Sequence, residues 1–273
     1  LKFETREGGT LELNGILNEE SSEFIEPEII HGRTIENKKI TLQRCHQVRS
    51  TGAMIEGSMK TSAFKVERIF KQGYHEEMKF DRVVVEFPYL DTWMNKRTIR
   101  EFPPQDGERF EIETESFSYT TEYQDLEISF NAGTKQGGEG REVHIKRACW
   151  IEIEPEEQMD YDEFDNYISY LQDFLNLTSG EDVSPNRIAC YTSEGMKVGE
   201  DEYIPSRTKV YRRVNQDFKG EESKAVQLML MPFETFEENI SEVLTTWLDM
   251  RQEEKMKWAL NLYFGIRYND SMY

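Results

Sequence analysis

Between residues 10 and 154 the apolar side chains recur at every second position, and no stretch of helical length interrupts them. In residues 10–17 (TLELNGIL), Leu11 and Leu13 alternate with polar neighbours before Ile16. Residues 39–45 (KITLQRC), 63–70 (AFKVERIF) and 78–90 (MKFDRVVVEFPYL) follow, then a hairpin across 109–133 and a run at 142–154 (EVHIKRACWIEIE). Successive side chains of a strand point to opposite faces, and β-branched and aromatic residues suit that surface. Parallel strands need long crossovers, usually helices. Short turns between these runs therefore predict antiparallel pairing, in a sandwich or barrel-like arrangement. One join is explicit. Residues 29–46 (IIHGRTIENKKITLQRCH) read as two strands, one ending near Ile35 and one starting at Lys38, about a Glu36-Asn37 turn.

The period changes twice. In residues 159–180 (MDYDEFDNYISYLQDFLNLTSG), Tyr161, Phe164, Ile168, Leu171 and Leu175 fall three and four apart, the stripe of a helix over 159–177. Asp160 suits its start and Gly180 its end. Strands resume at 187–192 (RIACYT) and 209–214 (KVYRRV), with a polar, loop-like interval at 193–207. Near the C-terminus Phe236, Ile240, Leu244, Trp247 and Leu248, then Met256, Leu260, Tyr263 and Phe264, mark two helices meeting near Gln252. Leu90 to Asn95 reads as a single helical turn, and residues 134–140 (TKQGGEG) as a hairpin tip or mobile loop. The expected class is α+β with β dominant. A β-rich domain over residues 1–232, with one embedded helix, precedes the first helices of a helical domain over 233–273, whose remainder lies beyond this chain. The apolar helix pair needs a surface to cover it.

Composition narrows the chemistry. The net charge of −20, from 53 acidic and 33 basic residues, repels polyanions. The densest basic spots are Lys38-Lys39 and Arg212-Arg213, so extensive nucleic-acid binding is not expected. Cys45, Cys149 and Cys190 are distant and odd in number, which fits reduced thiols of a cytoplasmic protein rather than a disulfide framework or zinc site. His31, His46, His75 and His144 form no ligand spacing, and no GxSxG elbow or phosphate-loop motif is present. No run reaches the length of a membrane span. No catalytic, cofactor-binding or metal-ligating residue is assigned. Trp93 and Trp150 are the candidates for stacking on a sugar.

The order of three segments carries a resemblance. GTLELNGIL, EIIHGRTIENKKITLQRC and MKFDRVVVEFPYLDTWMN resemble the N-terminal domain of ApeA-like HEPN proteins. Its hairpin motif falls on Ile30, Gly32, Thr34, Ile40, Thr41, Leu42 and Cys45, and a later segment on Phe80, Phe87, Leu90 and Trp93. The helix at 159–177 and the closing MLMPFETFEENISEVLTTWLDM are similar as well.

The resemblance implies a bacterial abortive-infection protein acting against phage. A β-rich region would precede a HEPN domain that cleaves RNA without a metal, as a toxin, through paired Arg-x4–6-His motifs. Those residues cannot be placed here: only YNDSMY follows Arg267, and the one formal match, Arg68 with His75, lies in the β region. The expected role is thus sensing and regulation, with a phage protein as trigger. RNA would be met only through the missing HEPN part, and a homodimer could form through the terminal helices. A carbohydrate- or other ligand-binding β-sandwich module is the rival, and a hydrolase built on scattered carboxylates ranks below both.

Overall fold

The computed structural model describes residues 2–4, 8–14, 27–51, 61–102, 111–138, 143–197, 203–212 and 226–268. In chain order its first strands are β1 (Lys2–Glu4), β2 (Gly8–Asn14), β3 (Ile29–Arg33), β4 (Lys39–Thr51), β5 (Thr61–Lys71), β6 (Lys79–Phe80) and β7 (Arg82–Glu86). Helix α1 (Leu90–Met94) precedes β8 (Ile99–Phe102), β9 (Glu111–Thr114), β10 (Phe117–Tyr123), β11 (Leu126–Gly137), β12 (His144–Pro155) and β13 (Met159–Asp160). Helix α2 (Tyr161–Ser179) leads to β14 (Arg187–Lys197) and β15 (Tyr203–Arg212), and the chain closes with α3 (Ile240–Gln252) and α4 (Glu254–Tyr268). Two compact units result, each assembled from two stretches: Leu1–Met78 with Arg187–Asp217, and Lys79–Asn186 with Phe218–Tyr273.

In the first unit β5 is the spine. Strand β4 pairs along one side of it, while β2 and β15 share the other, β2 against residues 61–66 and β15 against residues 68–71. Strands β3, β1 and β14 pair with β4, β2 and β15 in turn, and every pairing is antiparallel. Leu42, Cys45, Phe64, Val66 and Ile69 form the core, with Leu11, Ile30 and Ile40 at its margin. The β3–β4 join closes through Thr34 N–H to Lys38 O at 2.9 Å and Asn37 N–H to Thr34 O at 2.8 Å. Asn37 takes φ 62°, a left-handed conformation that Asn tolerates better than most residues.

The second unit carries an antiparallel sheet in the order β7-β12-β11-β10. The small pairs β8–β9 and β6–β13 flank it in the chain. The sheets of both units are open, and no barrel closes among the described residues. Against this sheet the buried stripe of α2 is the one its spacing predicts: Tyr161, Phe164, Ile168, Leu171 and Leu175 are all buried. Asp160 caps the start by accepting from Asp162 N–H at 2.9 Å, and Gly180 ends the helix at φ 74°. Trp93 is the hub of the core. Its ring lies 5.1–6.0 Å from those of Phe130, Phe174, Phe233 and Phe236, and its indole N–H donates to Met231 O at 2.9 Å.

Three expectations need correction. Residues 134–137 are strand, because the β11–β12 register runs unbroken to Gly137 opposite His144; residues 139–142 lie outside the described set. The supposed hairpin over 109–133 divides: β9 pairs with β8, and only β10 pairs with β11. The interval 193–207, read as a loop, is mostly strand, since β14 continues to Lys197 and β15 begins at Tyr203. At 134–137 and 193–207 the extra ladder carries mostly polar residues, which leave little apolar alternation to detect, whereas 109–133 does alternate and its spacing gives no sign of which partner each strand takes.

Candidate functional site

The residues singled out by the sequence do not converge. Arg68 is buried on β5 and donates to Gln43 Oε1 at 3.2 Å. His75, in the loop after β5, shares a 3.0 Å hydrogen bond between its Nε2 and Thr208 Oγ1. Each is thus tied into sheet packing rather than set at a helix end. Trp93 is 1% exposed and cannot stack on a sugar, which corrects its reading as an exposed ring. Trp150 is half-buried, its indole N–H donating to Glu152 Oε2 at 3.4 Å. Burial pushes the thiols of Cys45 and Cys149 up to about 12, so neither is a thiolate at neutral pH. Among the described residues no three His, Cys, Asp or Glu side chains gather as a metal-holding group. No described helix is long and apolar enough to cross a membrane.

Two arrangements in the second unit do assemble. The first is a clasp between α3 and the elements it packs on, β10 and α2. Leu244 and Leu248 are fully buried and Trp247 nearly so. The Trp247 indole N–H donates to Tyr170 O at 2.9 Å, and the Tyr123 hydroxyl donates to Asp249 Oδ1 at 2.9 Å. Arg251 is 5% exposed. It pairs with Asp173 Oδ2 at 3.2 Å and lies 4.8 Å over the Tyr170 ring. Burial pushes the Asp173 carboxyl up to about 6, outweighing the opposite pull of the guanidinium. Just before α3, Glu237 accepts from Lys96 at 2.6 Å and from the Tyr119 hydroxyl at 2.5 Å. Those donors hold its carboxylate below the ordinary range. Beyond the clasp the surface is apolar again: on α4, Trp258 is 73% exposed, Leu262 67% and Tyr263 46%.

The second is an open cleft of about 840 Å³. One wall is the chain from Glu86 through Tyr89 into α1; the other is the end of the β11–β12 ladder. Register places Lys135 directly opposite Lys146, and His144 opposite Gly137. Arg147, next along β12, points to the opposite face of the ladder. Glu86 neutralises Lys135 at 2.7 Å. The side chains of Lys146 and Arg147 are exposed and make no hydrogen bond or ion pair with any described residue. Like charges directly opposite each other on a ladder are destabilising. The far wall holds one strained residue: Tyr89 takes φ 62°, left-handed without being a glycine, while Asn95 at φ 49° closes the five-residue α1 in the left-handed cap conformation that Asn tolerates. Such strain persists only where the surroundings fix it, and it gathers at functional sites.

Sequence reasoning missed both arrangements. Lys146-Arg147 is as dense a basic pair as the two that were noted, and a longer strand at 126–137 would have set Lys135 beside it. Nothing in the periodicity could connect Tyr123 with Asp249 or Asp173 with Arg251. A family model, ApeA N-terminal domain 1, matches residues 1–247. No curated protein and no solved structure matches the chain.

Proposed function

The chain belongs to the ApeA N-terminal domain 1 family, the N-terminal region of an antiphage-defence protein, and from that premise we propose that it is the sensing and regulatory part of an abortive-infection ribonuclease. Residues 233–273 begin the HEPN-type helical domain, and the β-rich part holds that domain quiet until a phage product, a protein trigger in the simplest case, disturbs it. RNA is met only by the helical remainder. The exposed face of α4 is covered by that remainder or by the same helix of a second copy. The single observation that supports this most is the clasp. Helix α3 is gripped through Tyr123, Asp173 and Tyr170 on elements of the β-rich unit, so a disturbance of that unit is transmitted to the helices by direct packing. Burial of Trp93 weighs against the carbohydrate-binding alternative, which needs exposed rings in one plane.

The test is expression of the whole protein in uninfected cells, with the clasp loosened by Tyr123→Phe and Arg251→Met together. Growth arrest without phage, absent from the wild type, is the expected outcome. A variant that folds, stays harmless and still protects against phage would overturn the regulatory reading.

A further inference from the structure

The first unit carries a group of cations that the regulatory reading does not use. On β15, Thr208 and Val210 alternate to one face and are buried, while Arg207, Lys209 and Tyr211 alternate to the other and are half-buried or exposed. Register sets Lys71 of β5 directly opposite Lys209, so Lys71, Arg207 and Lys209 share one face of the sheet. All three are half-buried, and their side chains make no hydrogen bond or ion pair with any described residue. Glu36 feels the charge of Lys71, but its carboxylate is bonded to Lys38 at 2.6 Å. The Arg207 Nε is buried and meets no acceptor, so this guanidinium is partly desolvated. A partly desolvated cation attracts an anion more strongly than one in open water. Like charges directly opposite each other destabilise the free ladder, and an anion bound over them relieves that cost.

The spacing decides the class of anion. Residues opposite each other on neighbouring strands lie about 5 Å apart and alternate residues of one strand roughly 7 Å, so three long side chains can meet over one or two phosphate groups. A single carboxylate cannot neutralise three cations, whereas a phosphate carries up to about two charges. The terminal nitrogens of Arg207 can fork onto two phosphate oxygens, with Lys71 and Lys209 as point charges. A net charge of −20 disfavours a long polyanion and selects a small ligand. Tyr211, 42% exposed, follows Lys209 on the same face, and Tyr191 lies opposite Arg207, so a ring stands at each end of the pair on β15. We propose that this face of β5 and β15 binds a small phosphorylated molecule, its phosphates held by Lys71, Arg207 and Lys209. This goes beyond the regulatory reading and does not depend on it, because binding needs neither the nuclease nor RNA.

The test is calorimetric titration of the purified chain in low-salt, magnesium-free buffer with two probes, inorganic pyrophosphate and adenosine diphosphate. Binding of either probe that weakens about tenfold or more in Lys71→Gln/Lys209→Gln supports the proposal, about tenfold being the loss of one charge-assisted contact. The same variant, without ligand, should melt no lower than the wild type, because it removes two like charges that face each other. A lower melting temperature would mean that the lysines serve the fold, and would overturn the proposal. Lys146→Ala/Arg147→Ala, which removes two exposed cations of the other unit, should bind as the wild type does; an equal loss there would reduce the binding to general charge and overturn it as well. Adenosine diphosphate preferred over pyrophosphate assigns a tyrosine ring to the base; equal binding assigns the site to the phosphates alone, within the same proposal. No heat with either probe at millimolar concentration would overturn it, as would tighter binding of single-stranded RNA than of both probes. None of these results bears on whether the clasp restrains a nuclease.

Discussion

The Tyr123 hydroxyl donates to Asp249 Oδ1 at 2.9 Å, joining the last residue of β10 to the final turn of α3. Burial first, and the neighbouring carboxylate second, hold the phenol well above its ordinary titration range, so it remains a donor at any physiological pH. Tyr123→Phe removes one hydrogen bond whose acceptor is still reached by water. The expected loss is about 1 kcal/mol, and a melting temperature lower by roughly 2–4 °C in scanning calorimetry.

Arg251→Met leaves the Asp173 carboxyl buried beside no counter-charge. At pH 7.5 that costs about 3–5 kcal/mol. Asp173 has a folded-state pKa of about 6, above its ordinary 3.8. Its contribution to stability is therefore fully present below about 3.8 and lost as pH rises through about 6. At pH 5 the carboxyl is largely neutral in the folded chain, so the variant's deficit should shrink. Melting curves at the two pH values check this, and a deficit that grows at pH 5 would refute the assignment.

Two glycines should respond in opposite ways. Gly180 sits at φ 74°, where a Cβ would fall 2.9 Å from Leu230 Cγ. Leu230 is exposed and can yield, but the backbone cannot, so Gly180→Ala should cost about 1–2 kcal/mol. Gly137→Ala meets open space in a strand and should be neutral or slightly stabilising, within about 0.5–1 kcal/mol. Denaturant midpoints of the two variants make the comparison.

In the first unit the Thr41 hydroxyl gathers three partners. It accepts from His75 N–H at 3.1 Å, donates to Gly73 O at 3.2 Å, and meets His31 Nδ1 at 3.2 Å. With its own hydrogen given to Gly73, it can only accept from His31, which fixes a hydrogen on that ring's Nδ1. Burial, then the charge of His31, lowers the His75 pKa below its ordinary 6.5. The stability tied to His75 is therefore present above 6.5 and lost as pH falls below it. His75→Gln should flatten the acid side of the melting-temperature profile; an unchanged slope between pH 7 and 5.5 would contradict this.

How much of this the sequence revealed depended on periodicity. The stripe of α2, its Asp160 cap and Gly180 stop, and the break between α3 and α4 at Gln252 all rest on apolar spacing and cap chemistry. The outer parts of β14 and β15 are mostly polar ladders without such spacing, so they read as a loop, while β9, expected within a hairpin over 109–133, pairs instead with β8. Trp93 illustrates a further limit. A lone Trp in a short helical turn gives no sign of whether four phenylalanines from distant segments will surround it. The cleft and the clasp are made by tertiary register, which pairs Lys135 with Lys146 and brings Arg251 to Asp173.

The most direct measurement of the central claim is RNA cleavage by the purified whole protein, comparing the wild type with the Tyr123→Phe/Arg251→Met variant at a temperature where both are folded. If the β-rich unit restrains the helical domain through the clasp, the wild type is nearly inactive without a trigger and the variant cleaves RNA at least about fivefold faster, the effect of losing a coupling of about 1–3 kcal/mol. Equal rates from two folded proteins, or a variant slower than the wild type, would contradict the account.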